Sequence, residues 1–529
     1  MSVLDPIQSA PEDREDAAAV PAAGGPRRTL LGLALAALSA FLLFSTFEGH
    51  GSAWWLMPVA FVPMYVAQYR LLPRKWSFLA LAIAAFGWWV ALAMSGASVL
   101  GLAVTLMIAA FFATVWGAIG VLERPFTERT NYRWFLVQLP LIWVGAEILL
   151  QNNLLLGSLY WYAYRMAPAP GLIQPVSIVS TPALSFLLIM INAAIALVVL
   201  RWVDRRWPYL AAIKVPARTV RWSAVIAAVL TLVWVASSLV IFSQVTAQVG
   251  EQVRVATIQT GRQNTTFNTE IVPTVEIGRA DSPMNVALRE QLVPMTREAA
   301  NQGAELVVWP EEGISYDVRN DDGDWIRELA RAIDVTIVVG FMTDYPEYTT
   351  PNMAAVFQPD GSIGEYYKIH RVIAMNETFD TPIDYPVFDT PVGRLGVEIC
   401  FDHDFPDSTT RMDALAGAQL IAIPSADPAS LANLRWQSVV FRAVENRIAV
   451  VKGNIGFTSV VVNPNGELAG RTVDGQGPET TVLVADVHRG QLGAPFTRFG
   501  GTVFGLLVIL GLIVRYTAHL VLRVRNGRI

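Results

Sequence analysis

Apolar residues gather in eight long runs along the chain, and the polar residues gather between them. The first seven runs cover residues 29–47, 53–69, 76–94, 99–122, 134–156, 176–200 and 222–242. The eighth begins near Phe499 and continues to about Val514 or a turn or two further. A hydrocarbon core about 30 Å thick takes roughly 20 apolar residues per helical crossing. Each run therefore predicts one membrane span, eight in all. Between residues 245 and 496 the pattern changes to short alternating segments separated by turns, the pattern of a water-soluble domain.

Basic residues orient the spans, because Lys and Arg are retained on the cytoplasmic side. Arg27 and Arg28 precede the first run, and Arg70, Arg74 and Lys75 follow the second. Arg124, Arg129 and Arg133 follow the fourth; Arg201, Arg205, Arg206, Lys214, Arg218 and Arg221 follow the sixth; Arg523, Arg525 and Arg528 follow the eighth. The loops after runs one and three have no basic residue, and the loop after run five has only Arg165. Both termini are thus expected in the cytoplasm and residues 245–496 outside it. The division is a cytoplasmic tail over 1–27, disordered by its polar composition, a seven-helix membrane domain over 28–244, a soluble domain over 245–496, and a last span with a basic tail over 497–529. The competing reading makes some runs buried helices of a large soluble core, with the alternating basic loops arising by chance.

Composition narrows the function. Charged residues make up 16% of the 529 and the formal net charge is -5, against about a quarter charged in soluble domains. This excludes a disordered chain and a nucleic-acid binder with a basic face. Cys400 is the sole cysteine, so no internal disulfide exists. The five histidines lack zinc-type spacing, and no metal or other cofactor is expected. No internal repeat points to a transporter, although a channel or transporter with an appended sensor domain is the reading from a different functional class.

The 245–496 segment alternates strand-like and helical stretches, as α/β layered domains do. Strands are predicted at 253–259, 305–309, Thr336–Phe341, 395–400, 419–423 and 448–453, and helices at 285–302, 325–332 and Ala429–Asn446. Hairpins are predicted over 354–367 around Asp360-Gly361 and over 460–470 around Asn465-Gly466. Three reactive residue types stand where strands end: Glu311 after Val307-Val308-Trp309-Pro310, Lys368 after Glu365-Tyr366-Tyr367, and Cys400 after Gly396-Val397-Glu398-Ile399. A thiol is a modest nucleophile until a base takes its proton or a cation lowers its pKa. Glu311 suits the base, and Lys368 suits stabilisation of a thiolate and of an oxyanion. Each also has a plain reading: a buried inert thiol, a solvated loop glutamate, a surface lysine. Singly, none carries a function.

Together they do. The order Trp309-Pro310-Glu311, Tyr367-Lys368-Ile369-His370, Glu398-Ile399-Cys400-Phe401 resembles the nitrilase (carbon–nitrogen hydrolase) superfamily. With seven runs before the domain and one after, residues 29–520 are similar to the apolipoprotein N-acyltransferase family. Matching pieces are Arg442-Ala443-Val444-Glu445-Asn446, Asn454-Ile455-Gly456, Asn463-Pro464-Asn465-Gly466, and in the membrane half Trp143, Glu147, Gly157 and Trp161. The resemblance implies an αββα sandwich with Glu311 as base, Lys368 as oxyanion-stabilising residue and Cys400 as nucleophile. It implies Glu377, Phe401 and Asp402 in support, and Glu147, Trp161 and Trp309 near a substrate cavity. For Glu147, a structural role as a polar partner in the bundle stands beside the cavity role.

The implied reaction is ping-pong. Cys400 takes an acyl chain from a membrane phospholipid as a thioester and passes it to the N-terminal amine of a lipid-anchored apolipoprotein. The implied setting is the bacterial inner membrane, with a monomeric enzyme whose catalytic domain is periplasmic. Four places depart from the family's pattern. Ala374-Met375-Asn376-Glu377 stands for Pro-Phe-Gly-Glu, Phe401-Asp402 for Tyr-Glu, Ala426-Asp427-Pro428-Ala429-Ser430 for Asn-Asp-Ala-Trp-Phe, and Leu150 for an arginine. The alternative within the superfamily is a membrane-tethered amidase with water or another amine as acceptor.

Overall fold

A computed structural model describes residues 25–97, 101–211, 213–248, 250–261, 278–343, 350–373, 377–473, 480–491 and 493–525. The expected disordered tail, as far as residue 24, and Ala374-Met375-Asn376 lie outside the described residues. Among the described residues, six helices are long and apolar enough to cross a membrane: Pro26–Phe44, Arg74–Met94, Leu102–Arg129, Thr181–Arg206, Ala217–Ala247 and Thr502–Val521. The fifth run gives a shorter helix, Phe135–Leu150. The second run does not form one long helix. Pro58 and Pro63 interrupt it, each lacking the N–H that an interior helical turn requires. The outcome is a single turn at Trp54–Leu56, a short helix at Val62–Val66 and a wider turn at Ala67–Leu71.

Basic residues flanking alternate runs meet at one end of this bundle. Arg70 makes a bidentate pair with Asp204 (2.6 and 2.9 Å), Arg28 donates to the Arg70 carbonyl (3.1 Å), and Arg124 donates to Gln68 and Leu72 carbonyls (2.8 and 2.9 Å). Arg515, near the end of the last helix, pairs with Glu123. Thr181–Arg206 places Asp204 in this cluster and Thr181, a helix length away, against the α/β domain. A helix of that length spans roughly 39 Å.

Among the described residues, the α/β domain holds two six-stranded sheets. The first has the order β12-β1-β2-β3-β4-β5, with β1 at Gln252–Gln259, β2 at Leu306–Val308, β3 at Thr336–Phe341, β4 at Met353–Phe357, β5 at Ile363–Tyr367 and β12 at Thr481–His488. The second has the order β11-β10-β9-β8-β7-β6, with β6 at Val387–Thr390, β7 at Gly393–Val397, β8 at Leu420–Ser425, β9 at Ala449–Asn454, β10 at Val460–Val462 and β11 at Leu468–Arg471. In each sheet three parallel strands, β1-β2-β3 and β7-β8-β9, form the centre and antiparallel strands the flanks.

Alternation along the strands builds the layers. Val255, Leu306, Val308, Val338 and Val356 meet Leu395, Val397, Leu420, Ala422 and Val451 between the sheets. Ala256, Ile258, Val307, Ile337 and Val339 turn the other way, under helices Pro283–Asn301 and Asp324–Ile333. Helix Ala429–Asn446 covers the second sheet, so the order is αββα. Burying one such aliphatic side chain contributes roughly 1.5–3 kcal/mol, which fixes the register of strands buried on both faces.

Helix Ala429–Asn446 also seats the domain on the bundle. Trp436 donates to Glu48 (2.5 Å), Arg442 to the Tyr164 hydroxyl (2.7 Å), and Thr181 donates through both N–H and hydroxyl to Glu445 (3.1 and 2.6 Å). Just past its end, Arg447 donates to Gln174 (2.6 Å) and Ser177 (2.8 Å). Charge-assisted bonds of this kind contribute about 1.5–3 kcal/mol each when buried and satisfied.

Candidate active site

The parallel strands end at one edge of the sandwich, and the three strand-end residues converge there. Gly340 on β3 makes room for the first. A Cβ at that position would stand 2.7 Å from the Glu311 Cα and 2.7 Å from the Pro310 carbonyl, so the Pro310-Glu311 turn lies on bare backbone. Gly340→Ala is expected to displace Glu311 and lower turnover at least tenfold, with a smaller change in melting temperature; a steady-state assay beside a melting curve checks this.

Glu311 and Glu377 share the Lys368 ammonium. Lys368 Nζ donates to Glu311 Oε1 (2.9 Å) and to Glu377 Oε1 (2.7 Å), and all three side chains are buried. Asn352 donates a further bond to Glu311 Oε1 (2.7 Å), and the Val372 N–H donates to Glu377 Oε2 (2.6 Å). Burial works against the charged amine, but the Glu311 and Glu377 carboxylates outweigh it and hold Lys368 well above the usual lysine range. Lys368 is a fixed cation at any physiological pH.

Cys400 follows β7 in the left-handed region, with φ of 45°. A non-glycine residue held there is strained by roughly 1–3 kcal/mol, a device that turns a side chain out of a strand end. Asp402 holds the turn. Its carboxylate accepts from the Ile399 N–H (3.0 Å), the Tyr366 hydroxyl (2.7 Å) and the His370 N–H (2.8 Å), with His370 Nδ1 at 2.9 Å. Asp402 thereby ties the cysteine turn to the strand that delivers Lys368. Phe401 is buried against Phe405, ring centroids 5.0 Å apart.

The sulfur's own hydrogen bonds run to Asp427, in the 426–430 loop that departs from the family's pattern, and to Arg435, which no motif marks. The thiol donates to Asp427 Oδ1 (3.4 Å) and Arg435 Nη1 donates to Sγ (3.2 Å). Arg435 and Lys452 both pair with Asp427, and Arg435 Nη2 lies 2.7 Å from Asp404 Oδ2. Burial pushes Asp427 up, but Arg435 and Lys452 prevail and hold it well below the usual carboxylate range. Burial, with the Glu311 and Asp427 charges, pushes the Cys400 thiol well above its ordinary value, while Arg435 and Lys368 pull it down. Cys400 in the resting state is a thiol within the field of Glu311 and Lys368.

The membrane half reaches this turn. Ser158 donates through N–H and hydroxyl to the Asp404 carbonyl (2.8 and 2.7 Å), and a Cβ on Gly157 (φ 52°) would stand 2.8 Å from that oxygen. Trp161 donates its backbone N–H to the Ser158 carbonyl (2.9 Å) and its indole N–H to the Glu147 carbonyl (3.4 Å). Glu147 Oε1 accepts from the Tyr162 N–H (2.6 Å), its carbonyl accepts from the Tyr160 hydroxyl (3.0 Å), and the Trp161 ring lies 5.8 Å from the Arg442 guanidinium carbon. Trp309 is elsewhere, which corrects the expectation that it lines a cavity. Its indole is fully buried in the helix-side core, donating to Thr296 (3.1 Å) and stacked on Trp325.

Comparison with known proteins matches both halves. Residues 282–494 fit the carbon–nitrogen hydrolase family and residues 39–194 fit the apolipoprotein N-acyltransferase N-terminal domain. The chain is 27% identical to an apolipoprotein N-acyltransferase of Geobacter metallireducens over 92% of this chain and 95% of that one. It is 33% identical to a nitrilase of Pyrococcus abyssi over 32% of this chain and 67% of the relative. An amidase from Nesterenkonia, of known structure, superposes with a TM-score of 0.36 at 22% identity, covering 47% of this chain and 95% of that one. The chain belongs to the apolipoprotein N-acyltransferases, within the carbon–nitrogen hydrolase (nitrilase) superfamily.

Proposed function

We propose that this protein transfers an acyl chain from a membrane phospholipid, through a Cys400 thioester, to the N-terminal amine of a diacylglyceryl-cysteine lipoprotein. The observation that carries the reading is the convergence of Glu311, Lys368 and Cys400 at one sheet edge, in a domain seated on an apolar helix bundle. Cys400 is the nucleophile. Glu311 is the base, and Asp427 is not, because two cations hold its carboxylate too firmly to take a proton. Lys368 stabilises the oxyanion that forms when the ester or thioester carbonyl is attacked, an effect commonly worth roughly 3 kcal/mol.

In the first half-reaction the Sγ–C bond forms, the ester C–O bond breaks, and the thiol proton passes through Glu311 to the departing lysophospholipid alkoxide. In the second, the lipoprotein amine attacks the thioester, Glu311 takes the amine proton, and the sulfur regains it on leaving. Burial of the site keeps water from hydrolysing the thioester.

The same reading places the eight apolar segments in a bacterial inner membrane, with both termini cytoplasmic and residues 245–496 outside. The clustering of Arg28, Arg70, Arg124 and Arg515 at the bundle end away from the α/β domain supports this orientation. Both substrates are lipids held in the plane of the membrane, and no cofactor enters the reaction.

Purified full-length protein incubated with acyl-labelled phospholipid and a diacylated lipopeptide should give labelled triacylated lipopeptide and lysophospholipid. Release of free fatty acid or ammonia with no lipopeptide product would instead assign a membrane-tethered amidase.

A further inference from the structure

Lys368 has three N–H donors, and Glu311 and Glu377 occupy two of them. Among the described residues one donor remains, and it cannot serve the sulfur and the carbonyl oxygen together. The sulfur has another cation. Arg435, buried on helix Ala429–Asn446, donates from Nη1 to Cys400 Sγ at 3.2 Å. Its other arm pairs with Asp404 (2.7 Å), and its guanidinium carbon stands 5.3 Å from the Phe401 ring centroid. Asp427, which also accepts from Arg435, is held by Lys452, and its N–H donates to Asn454 Oδ1 (2.8 Å). Two carboxylates and an aromatic face therefore lock the guanidinium against the reacting atom.

We propose that Arg435 is a catalytic residue that carries the charge of the Cys400 sulfur, leaving the free N–H of Lys368 for the carbonyl oxygen. During attack, Arg435 stabilises the thiolate as the proton moves to Glu311 and the Sγ–C bond forms. In acyl transfer, the N–C bond forms and the Sγ–C bond breaks. The sulfur then leaves with its electron pair toward Arg435 before Glu311 returns the proton. Asp427 acts in the opposite sense, as a negative charge beside the sulfur that keeps the resting thiol protonated. This division of roles rests on Cys400 being the nucleophile, and it holds whichever amine or water accepts the acyl group.

Because Cys400 is the only cysteine, iodoacetamide reports on this sulfur alone in the full-length protein in detergent. Only the thiolate alkylates, so the rate climbs with pH through the thiol pKa. Removing a cation raises that pKa and removing an anion lowers it. Arg435→Gln is expected to slow alkylation at pH 8 by about tenfold or more and to move the pH profile upward, with Arg435→Lys recovering part of the loss. Asp427→Asn is expected to move the profile the other way, a pair of opposed shifts that loosened packing does not produce.

A wild-type alkylation profile in Arg435→Gln overturns the proposal. If that variant fails to fold, Asp427→Asn decides: a downward shift supports the charge balance, and an unchanged or upward profile overturns it. Opposed shifts in the two variants, with wild-type protein that makes no triacylated lipopeptide, would sink the acyl-transfer reading and leave the role of Arg435 standing.

Discussion

Cys400→Ala should yield a protein that folds and forms neither acyl-enzyme nor product. In the proposed reaction every covalent step passes through this sulfur, so the expected loss is on the order of 10⁴-fold or more. Stability should barely move. The substitution removes one buried atom, and Arg435 keeps both Asp404 and Asp427 as partners. The measurement is mass spectrometry of the protein after incubation with phospholipid, beside a melting curve. Wild-type turnover in this variant would refute covalent catalysis through Cys400.

Lys368→Met is expected to fail in both respects. The ammonium is the shared counter-charge of Glu311 and Glu377, and its removal leaves two buried carboxylates facing each other. Breaking a buried pair in this way destabilises by about 3–5 kcal/mol, far more than the loss of an exposed lysine. Activity should fall as far as in Cys400→Ala, since in the proposed mechanism the oxyanion loses its donor. Glu377→Gln keeps the ammonium and one carboxylate, and it should lie between the wild type and Lys368→Met in denaturant midpoint. A stable, folded Lys368→Met protein would show that the lysine is not the counter-charge the geometry makes it.

Much of this architecture was written in the hydrophobic pattern. The strand at Thr336–Phe341, the helix at Ala429–Asn446 and the hairpin strand at Ile363–Tyr367 have the bounds that alternation and turn residues predict. Long-range pairing was not legible. Thr481–His488 was missed because it earns its place beside β1, in register from Gln252↔His488, a partner far away in the chain. Val387–Thr390 is a short, half-exposed edge strand without alternation, and Thr409–Leu415 is a helix of two turns. In the membrane half, run length alone hid what Pro58 and Pro63 do to a helix.

At the site, Glu311, Lys368 and Cys400 were visible because each interrupts or ends an apolar strand. One such signal went unused. Lys452 sits in β9, where every residue is buried. A lysine there demands an anion, and Asp427, in the loop that departs from the family pattern, supplies it. Arg435 carries no comparable mark, since an arginine on a helix is ordinarily a solvated one. Trp309 could have been placed by counting: it shares the parity of Val307, which faces the helices, and not of Val308, which faces the other sheet.

Helix Ala429–Asn446 serves two masters, with Arg435 against the sulfur and Trp436, Arg442 and Glu445 against the bundle. The hydrolase-like half is therefore no cargo that can be lifted from its carrier. A chimera joining it to the helices of a distant relative would strand an arginine and a glutamate without mates. Such a graft would misalign Cys400 before any substrate arrived, so the two halves must diversify in concert.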